Sequence, residues 1–178
     1  NQPHELLTNY RIILPLIEPY SGGVSGARDL MNKRKLYPNE VDRAIAEAWK
    51  RWALEGCSGD VLGFAILHTG ARSVLRRWPV SRYAELSQWL LVEKKLMPIW
   101  VGTQEERTQI QEAMNCGGEG KVWISGDTLP ASAALLPFFA FIQYASLYIG
   151  NESGPLQLAD IAQVPLVAIY GPGVPHVF

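Results

Sequence analysis

The sequence contains few of the residues that build metal sites and disulfide frameworks. Its 178 residues include two cysteines, Cys57 and Cys116, which are far apart and form no CxxC spacing. The three histidines, His4, His68 and His176, show no spacing typical of metal ligands. We therefore predict no metal site, and we expect a reduced, cytoplasmic protein with two ordinary thiols.

Long apolar runs and an excess of one charge are also missing. No apolar run reaches the roughly 18 residues of a membrane-spanning helix, and the formal net charge is -1. We therefore predict no transmembrane segment and no nucleic-acid partner bound through bulk positive charge. Residues 1–5 lack a basic region ahead of an apolar one, which argues against a signal peptide. Because the first residue is not Met, we expect a processed or excised chain.

What the sequence does contain is an alternation of short apolar strands with amphipathic helices. Strands are predicted at 61–67, 96–101, 121–124, 146–149 and 165–170, and helices at 81–93, from 103, at 128–145 and at 153–162. This alternation is typical of an α/β fold with a doubly wound, parallel, five-stranded, Rossmann-like sheet. We assign the sheet to residues 59–178. Residues 1–58 are interpreted as a helical extension that includes a helix at 40–54.

Local patterns predict where several of these helices begin. Ser81 is expected to cap the helix at 81–93. Thr103 and Glu106 have the spacing of a capping box. Pro137 is expected to kink or split the helix at 128–145, because proline removes a helical hydrogen bond.

The turn after the fourth predicted strand has the composition of an anion site. Gly150 and Asn151 are predicted to form a turn, since both accept positive φ, and Ser153 and Pro155 suit the start of a helix. The free N–H groups at a helix N-terminus attract phosphate. An ordinary strand-to-helix turn of any α/β protein has the same pattern, so this motif alone leaves both interpretations open.

Three arginines follow the first predicted strand: Arg72, Arg76 and Arg77. Guanidinium groups bind phosphate through two parallel hydrogen bonds and are always charged. The carboxyl ends of parallel strands meet at one edge of the sheet, so these arginines are expected near the start of the last helix. A solvated basic loop is the alternative, and we favour a diphosphate site.

Four ordered motifs resemble the lipopolysaccharide heptosyltransferase family. They are GNESGPLQLA at 150–159 followed by PLVAIYGP at 165–172, ILHTGA at 66–71 followed by RRWP at 76–79, WVGTQEE at 100–106, and HELL at 4–7. The resemblance covers nearly the whole chain. It implies a glycosyltransferase of family 9 with a GT-B fold, and it matches only the C-terminal, donor-binding half of such an enzyme.

This resemblance assigns roles around the first two strands. Gly70 and Ala71 would line the nucleotide phosphates. Arg76 stands where the family usually has a lysine, and it would be the catalytic residue that offsets charge on the departing diphosphate. Glu106 would contact the ribose of the nucleotide, although it can equally be only the partner in the capping box.

The resemblance also assigns roles in the motif at 150–159. Glu152 stands where the family usually has aspartate, and Gln157 stands where it has histidine. Ser153 and Gly154 would offer backbone N–H groups to the phosphates. The donor site is completed by two neighbours in the same helix start, Pro155 and Leu156.

The implied function is inverting, metal-independent transfer of a sugar from a nucleotide-sugar. The resemblance implies ADP-heptose as donor and co-substrate, and the departure at Gln157 leaves another nucleotide-linked sugar as the alternative donor. It implies no other cofactor, and a lipid-linked saccharide of lipopolysaccharide type as acceptor. The acceptor and the catalytic base, an aspartate, would belong to an N-terminal domain that this chain lacks. We therefore expect the chain alone to be inactive. The parent enzyme is expected in the cytoplasm, and the nature of its acceptor is compatible with peripheral association with the inner membrane.

Two other functions are considered. The departures at Glu152 and Gln157 are compatible with a non-catalytic nucleotide-binding or assembly domain derived from this fold. A dehydrogenase-type dinucleotide domain is disfavoured, because the sequence HTGARS at 68–73 follows the first strand where GxGxxG would be required.

Overall fold

The computed structural model describes residues 36–57, 59–125, 127 and 135–171. The elements in this part of the chain are α1 (Glu40–Leu54), β1 (Gly63–His68), α2 (Val80–Val92), β2 (Leu96–Gly102), α3 (Arg107–Asn115), β3 (Lys121–Ile124), α4 (Leu135–Ile142), β4 (Leu147–Asn151), α5 (Gly154–Ile161) and β5 (Leu166–Ile169). Short 3-10 turns at Val74–Arg76 and Gln104–Glu106 follow β1 and β2. No helix among these residues has the length and apolar character needed to cross a membrane.

The strands form one five-stranded parallel sheet in the order β3-β2-β1-β4-β5. The predicted doubly wound parallel sheet is therefore confirmed. The chain begins at the centre with β1, moves outward through β2 and β3, and then adds β4 and β5 on the other side of β1. The winding thus reverses between β1 and β4, where His68 is paired with Gly150. In open α/β sheets, ligands bind at this switch point, outside the carboxyl ends of the strands.

Apolar layers cover both faces of the sheet. On one face, the rings of Phe64 in β1 and Phe141 in α4 stack with their centroids 5.1 Å apart. On the other face, Tyr83 of α2 and Ile110 of α3 pack against Trp100 of β2. Burial on both faces explains why the strands are nearly continuous apolar runs rather than alternating ones.

Helix α1 packs onto the first of these faces. Its N-terminus is fixed by a capping box, in which Asn39 and Asp42 exchange hydrogen bonds of 2.9 Å. Trp49 is 1% exposed and packs edge-on against Trp123 at 5.1 Å between ring centroids. The helix therefore shares its core with the strands within a compact unit, Leu36–Gly171. Residues 1–35 lie outside the described residues, and the division of the chain after residue 58 stays a prediction.

Two predicted helices differ in detail from the observed ones. Ser81 was predicted to cap α2, and this prediction was wrong. Helix α2 begins at Val80, and Pro79 occupies the N-cap position with its own φ held at -56° by the proline ring. Of the helix predicted at 128–145, the structure describes α4, with Pro137 in the first turn of that part. Residues 128–134 lie outside the described residues.

Candidate active site

A cavity of about 360 Å³ opens at the switch point of the sheet. Its wall is formed by the ends of β1 and β2, the turn after β2, α4 and the start of α5. Its lining includes the polar side chains of His68, Thr103 and Glu106 and the apolar side chains of Trp123 and Phe138. A site of this kind can hold a ligand with one flat apolar part and one polar part.

Glu106 is held in this cavity by the turn that follows β2. Its Oε2 accepts hydrogen bonds from the Thr103 backbone N–H at 2.8 Å and from the Thr103 hydroxyl at 3.2 Å. This confirms the predicted capping box. The other oxygen, Oε1, lies 3.4 Å from Nε2 of His68. Burial alone would raise the pKa of Glu106, but the interactions with His68 and Thr103 outweigh it and lower the pKa from 4.5 to about 2.

Gly70 provides the space that Glu106 occupies. A Cβ atom at Gly70 would overlap Oε1 and Cδ of Glu106, and it would lie 3.1 Å from Cε1 of His68. The absence of a side chain at position 70 is therefore what allows the carboxylate to reach His68. In this structure Gly70 acts on the site through Glu106.

His68 is the residue at the centre of the site that the sequence did not identify. It is 3% exposed, and its Nδ1 lies 3.2 Å from Oγ of Ser153, the residue before α5. The imidazole thus bridges Ser153 and Glu106, which come from opposite sides of the switch point. Its position as the last residue of β1 was a usable signal, because the carboxyl ends of the strands line the binding edge.

The prediction that Gly150 and Asn151 form a turn was wrong. Both residues belong to β4, where they pair with β5, and Gly150 also pairs with His68 of β1, so the backbone stays extended. The lack of a side chain at Gly150 instead allows the two strands to approach closely, because a Cβ there would lie 3.1 Å from the His68 carbonyl oxygen and 3.2 Å from the His68 Cβ. The close approach of β4 to β1 brings Ser153 to the imidazole.

Asn151 is a second residue whose role the sequence did not reveal. It is fully buried, and its amide nitrogen donates to the Thr69 carbonyl at 2.7 Å. Its amide oxygen accepts the backbone N–H of Trp78 at 3.0 Å. One side chain thus ties both ends of the loop 69–78 to β4. This loop carries the predicted arginines, so Asn151 fixes their position.

Arg76 and Glu152, both predicted as donor-site residues, contact each other. Nη1 of Arg76 donates to Oε1 of Glu152 at 2.9 Å. The Glu152 side chain is 8% exposed, whereas that of Arg76 is 43% exposed. The guanidinium is therefore anchored at one edge by a buried carboxylate and reaches solvent. The neighbouring Arg77 donates from Nε to the Ala71 carbonyl at 3.0 Å and so stabilises the same loop.

The remaining predicted residues lie at different depths around the start of α5. Gly154 and Pro155 line the cavity with Glu106. Ala71 is buried, and Leu156 belongs to the hydrophobic core, so each can reach a ligand only through its backbone. Gln157 is half-buried and is not among the residues that line this cavity.

The start of α5 departs from an ordinary cap. Ser153 occupies the N-cap position, but among the described residues its side chain makes no capping hydrogen bond to the helix. Pro155 has no N–H to offer, and the Ser153 hydroxyl faces His68 instead. The backbone N–H groups of Gly154 and Leu156 thus belong to the first turn, whose donors have no partner within a helix.

Curated relatives match part of this chain. Lipopolysaccharide heptosyltransferase 2 of Salmonella typhimurium is 30% identical over 105 residues, which is 56% of this chain and 28% of that protein. Lipopolysaccharide heptosyltransferase 2 of Escherichia coli matches to the same extent. The chain thus spans about a quarter of the length of these relatives.

Solved structures share the fold. A glycosyl transferase family 9 protein from Veillonella parvula covers 99% of this chain with a TM-score of 0.71 at 20% identity, and the match spans 46% of that protein. The E. coli heptosyltransferase WaaC with ADP-2-deoxy-2-fluoro heptose covers 85% of this chain, over 46% of its own length, with a TM-score of 0.55 at 20% identity.

The family assignment follows from the sequence. The profile of "Glycosyltransferase family 9 (heptosyltransferase)" matches residues 29–178, which is most of the chain. The predicted resemblance to this family is thereby confirmed, while the motif at 4–7 lies outside the matched residues. This chain belongs to glycosyltransferase family 9, the heptosyltransferase family.

Proposed function

We propose that this chain binds a nucleotide-sugar, ADP-heptose, and forms the donor half of an inverting, metal-independent heptosyltransferase. Family membership supports glycosyl transfer, and WaaC, which shares the fold, binds ADP and an ADP-heptose analogue. The observation that carries the proposal is that Glu106 and the start of α5 line one cavity at the switch point, while Arg76 is held by Glu152, two residues before that helix. These groups offer an acceptor for ribose hydroxyls, a cation for phosphate and the positive end of a helix.

The arrangement suits a reaction in which a diphosphate leaves. An acceptor hydroxyl attacks the anomeric carbon, a new C–O bond forms, and the bond to the diphosphate oxygen breaks as negative charge develops there. Arg76 and the N–H groups at the start of α5 would stabilise that charge. Removal of one well-placed donor typically costs on the order of 3 kcal/mol of transition-state stabilisation. The proton of the acceptor passes to a base supplied by an N-terminal domain, where a lipid-linked saccharide acceptor would also bind.

Thermal unfolding with nucleotides tests this proposal directly. The chain is unfolded alone and with ADP, UDP or GDP, each in large excess. A ligand at 100 times its dissociation constant stabilises the folded state by about 2.7 kcal/mol, which moves the midpoint by several degrees. We expect a rise with ADP, and a larger one with ADP-heptose if the sugar also binds.

Two variants locate the binding site. Arg76→Ala should lose most of the ADP-induced rise, measured relative to its own ligand-free midpoint. Arg82→Ala is the matched control, because Arg82 pairs at 2.9 Å with Glu85 on the exposed surface of α2. A rise with UDP or GDP alone would contradict the assignment of ADP-heptose. If no nucleotide raises the midpoint of the cooperatively folded chain, the proposed donor site is wrong for this chain.

A further inference from the structure

The imidazole of His68 connects two parts of the proposed donor site. Nε2 lies 3.4 Å from the Glu106 carboxylate, on the side assigned to the ribose. Nδ1 lies 3.2 Å from the Ser153 hydroxyl, on the side assigned to the phosphates. The ring is 3% exposed, so it touches these groups rather than solvent. A change at one nitrogen of the ring is therefore transmitted to a group beside the ligand.

The chemistry of its neighbours fixes which nitrogen of a neutral His68 holds the proton. The pKa of Glu106 is held near 2, so this carboxylate is ionised near neutral pH and can only accept a hydrogen bond. Nε2 must therefore carry hydrogen. In the neutral ring Nδ1 is then an acceptor, and the Ser153 hydroxyl donates to it. In this state the Ser153 hydrogen points to the ring and is not available to a phosphate.

Protonation reverses the direction of this second hydrogen bond. When Nδ1 also carries hydrogen, it donates to Oγ of Ser153, and the hydroxyl hydrogen becomes free to donate to a phosphate oxygen. We propose that His68 is a positioning residue that takes up a proton when the diphosphate of the donor binds at the start of α5. This inference rests on the proposed function, because it requires that a nucleoside diphosphate binds there.

His68 is the group around this site that suits such a change. Glu106 faces it from the turn after β2, with its Oε1 3.4 Å from Nε2 of the ring. Tyr83 of α2 donates to the His68 carbonyl, and the Tyr148 hydroxyl in β4 interacts with the Ser153 side chain. Burial raises the pKa of both tyrosines above 10, so neither changes charge between pH 5 and 8, the range in which histidine titrates.

One further charged pair lies next to Ser153. Glu152 precedes it in the chain and is paired with Arg76 at 2.9 Å. The pair adds one charge of each sign on the phosphate side of the ring. Because the charges of Arg76 and Glu152 offset each other, Glu106 is the charged group with the most direct effect on the imidazole.

Calorimetric titration with ADP tests the proton uptake. Binding to the whole chain is measured at pH 6, 7 and 8, in two buffers of different ionisation enthalpy, which gives the number of protons taken up per ADP. The same titrations are made with His68→Gln, whose amide can donate to Glu106 and accept from Ser153 but cannot titrate. Subtraction of the two data sets removes the titration of ADP itself and of the other histidines.

We expect the difference in proton uptake per ADP between wild-type protein and His68→Gln to grow with pH. Wild-type protein should take up as much as one proton more per ADP, and its affinity should fall more steeply, by up to about tenfold per pH unit relative to the variant. Ser153→Ala keeps His68 beside Glu106 and removes the link to phosphate, so it should bind ADP with the same proton count as His68→Gln.

A spectroscopic measurement covers the case in which His68→Gln does not fold. The ¹⁵N signals of the His68 ring in wild-type protein should move to imidazolium values when ADP is added at pH 7.5. If the folded variants take up as many protons per ADP as wild-type protein, or if the ¹⁵N signals of the His68 ring do not move when ADP binds, this inference is overturned and the proposed function stays intact. Failure of the wild-type chain to bind ADP at any of these pH values would overturn both.

Discussion

The substitution Gly70→Ala tests whether Glu106 depends on the space left by a missing side chain. The added Cβ would overlap the end of the Glu106 side chain. Because that end can rotate away, the overlap itself costs little. The cost arises from the contacts that Glu106 then loses, namely the hydrogen bonds from Thr103 and the position beside His68.

The magnitude follows from those contacts. A hydrogen bond to a charged group contributes about 1.5 to 3 kcal/mol, and a buried donor left without its partner, here Nε2 of His68, costs about 1 to 3 kcal/mol. Terms that share one side chain do not add fully, so we expect a loss of about 2 to 4 kcal/mol in unfolding free energy. Gly154→Ala is the matched control, since a Cβ at Gly154 would meet no atom within 4 Å. Its effect should stay within about 1 kcal/mol.

Urea unfolding measures these differences, and pH gives a second test. The folded pKa of Glu106, about 2, lies below its ordinary value of 4.5, so its stabilising contribution is present above pH 4.5 and disappears as the pH falls toward 2. The gap between wild type and Gly70→Ala should therefore narrow over that range. The double variant Gly70→Ala/Glu106→Ala should be as stable as Glu106→Ala alone. A large extra loss in the double variant would refute the argument, because the cost of Gly70→Ala would then not act through Glu106.

Two further predictions concern the loop between β1 and α2, and urea unfolding again measures both. Arg76→Ala should lower the unfolding free energy by about 2 kcal/mol, because it leaves the buried Glu152 carboxylate without its partner. Glu152→Gln should lower it by less than about 1 kcal/mol, because the unpaired arginine reaches water. A larger loss in Glu152→Gln than in Arg76→Ala would contradict this reasoning. Asn151→Ala should cost about 2 kcal/mol, because the Trp78 N–H loses its acceptor and the Thr69 carbonyl keeps only its second donor, Gln109. Asn151→Asp should retain part of that stability by still accepting from Trp78, and a stable Asn151→Ala protein would show that the loop is held by other contacts.

The fold was accessible from the sequence because its signals are local. Each strand is a short apolar run bounded by polar or glycine-containing turns, and the observed bounds differ from the predicted ones by only a few residues. The start of α2 was missed because Pro79 and Ser81 are both candidates for the N-cap of this helix. The rigid ring of Pro79 determines where the helix begins. The packing of α1 is likewise a tertiary property: Trp49 meets Trp123, which lies 74 positions later in the chain.

The site was less accessible because its geometry depends on contacts between strand ends. Glu106 could be identified from a spacing of three residues, which the capping box imposes. His68 and Ser153 are 85 positions apart in sequence, and only the pairing of β1 with β4 brings them together. Gly150 and Asn151 have the composition of a turn, yet strand pairing keeps them extended, since sheet hydrogen bonds override the local preference of both residues.

Contact between Arg76 and Glu152 also changes how the departures from the family pattern are understood. Taken singly, Arg76 in place of lysine and Glu152 in place of aspartate are two departures from the family pattern. In the structure they form one pair, in which Nη1 of Arg76 donates to Glu152 at 2.9 Å. A guanidinium has five N–H donors in a planar fork, so Arg76 can hold Glu152 through one edge and still present other donors to a diphosphate. An ammonium is a point charge without such a second edge. The two departures are therefore compatible with a site that still binds phosphate, a property shared by the proposed donor half and by a non-catalytic nucleotide-binding domain.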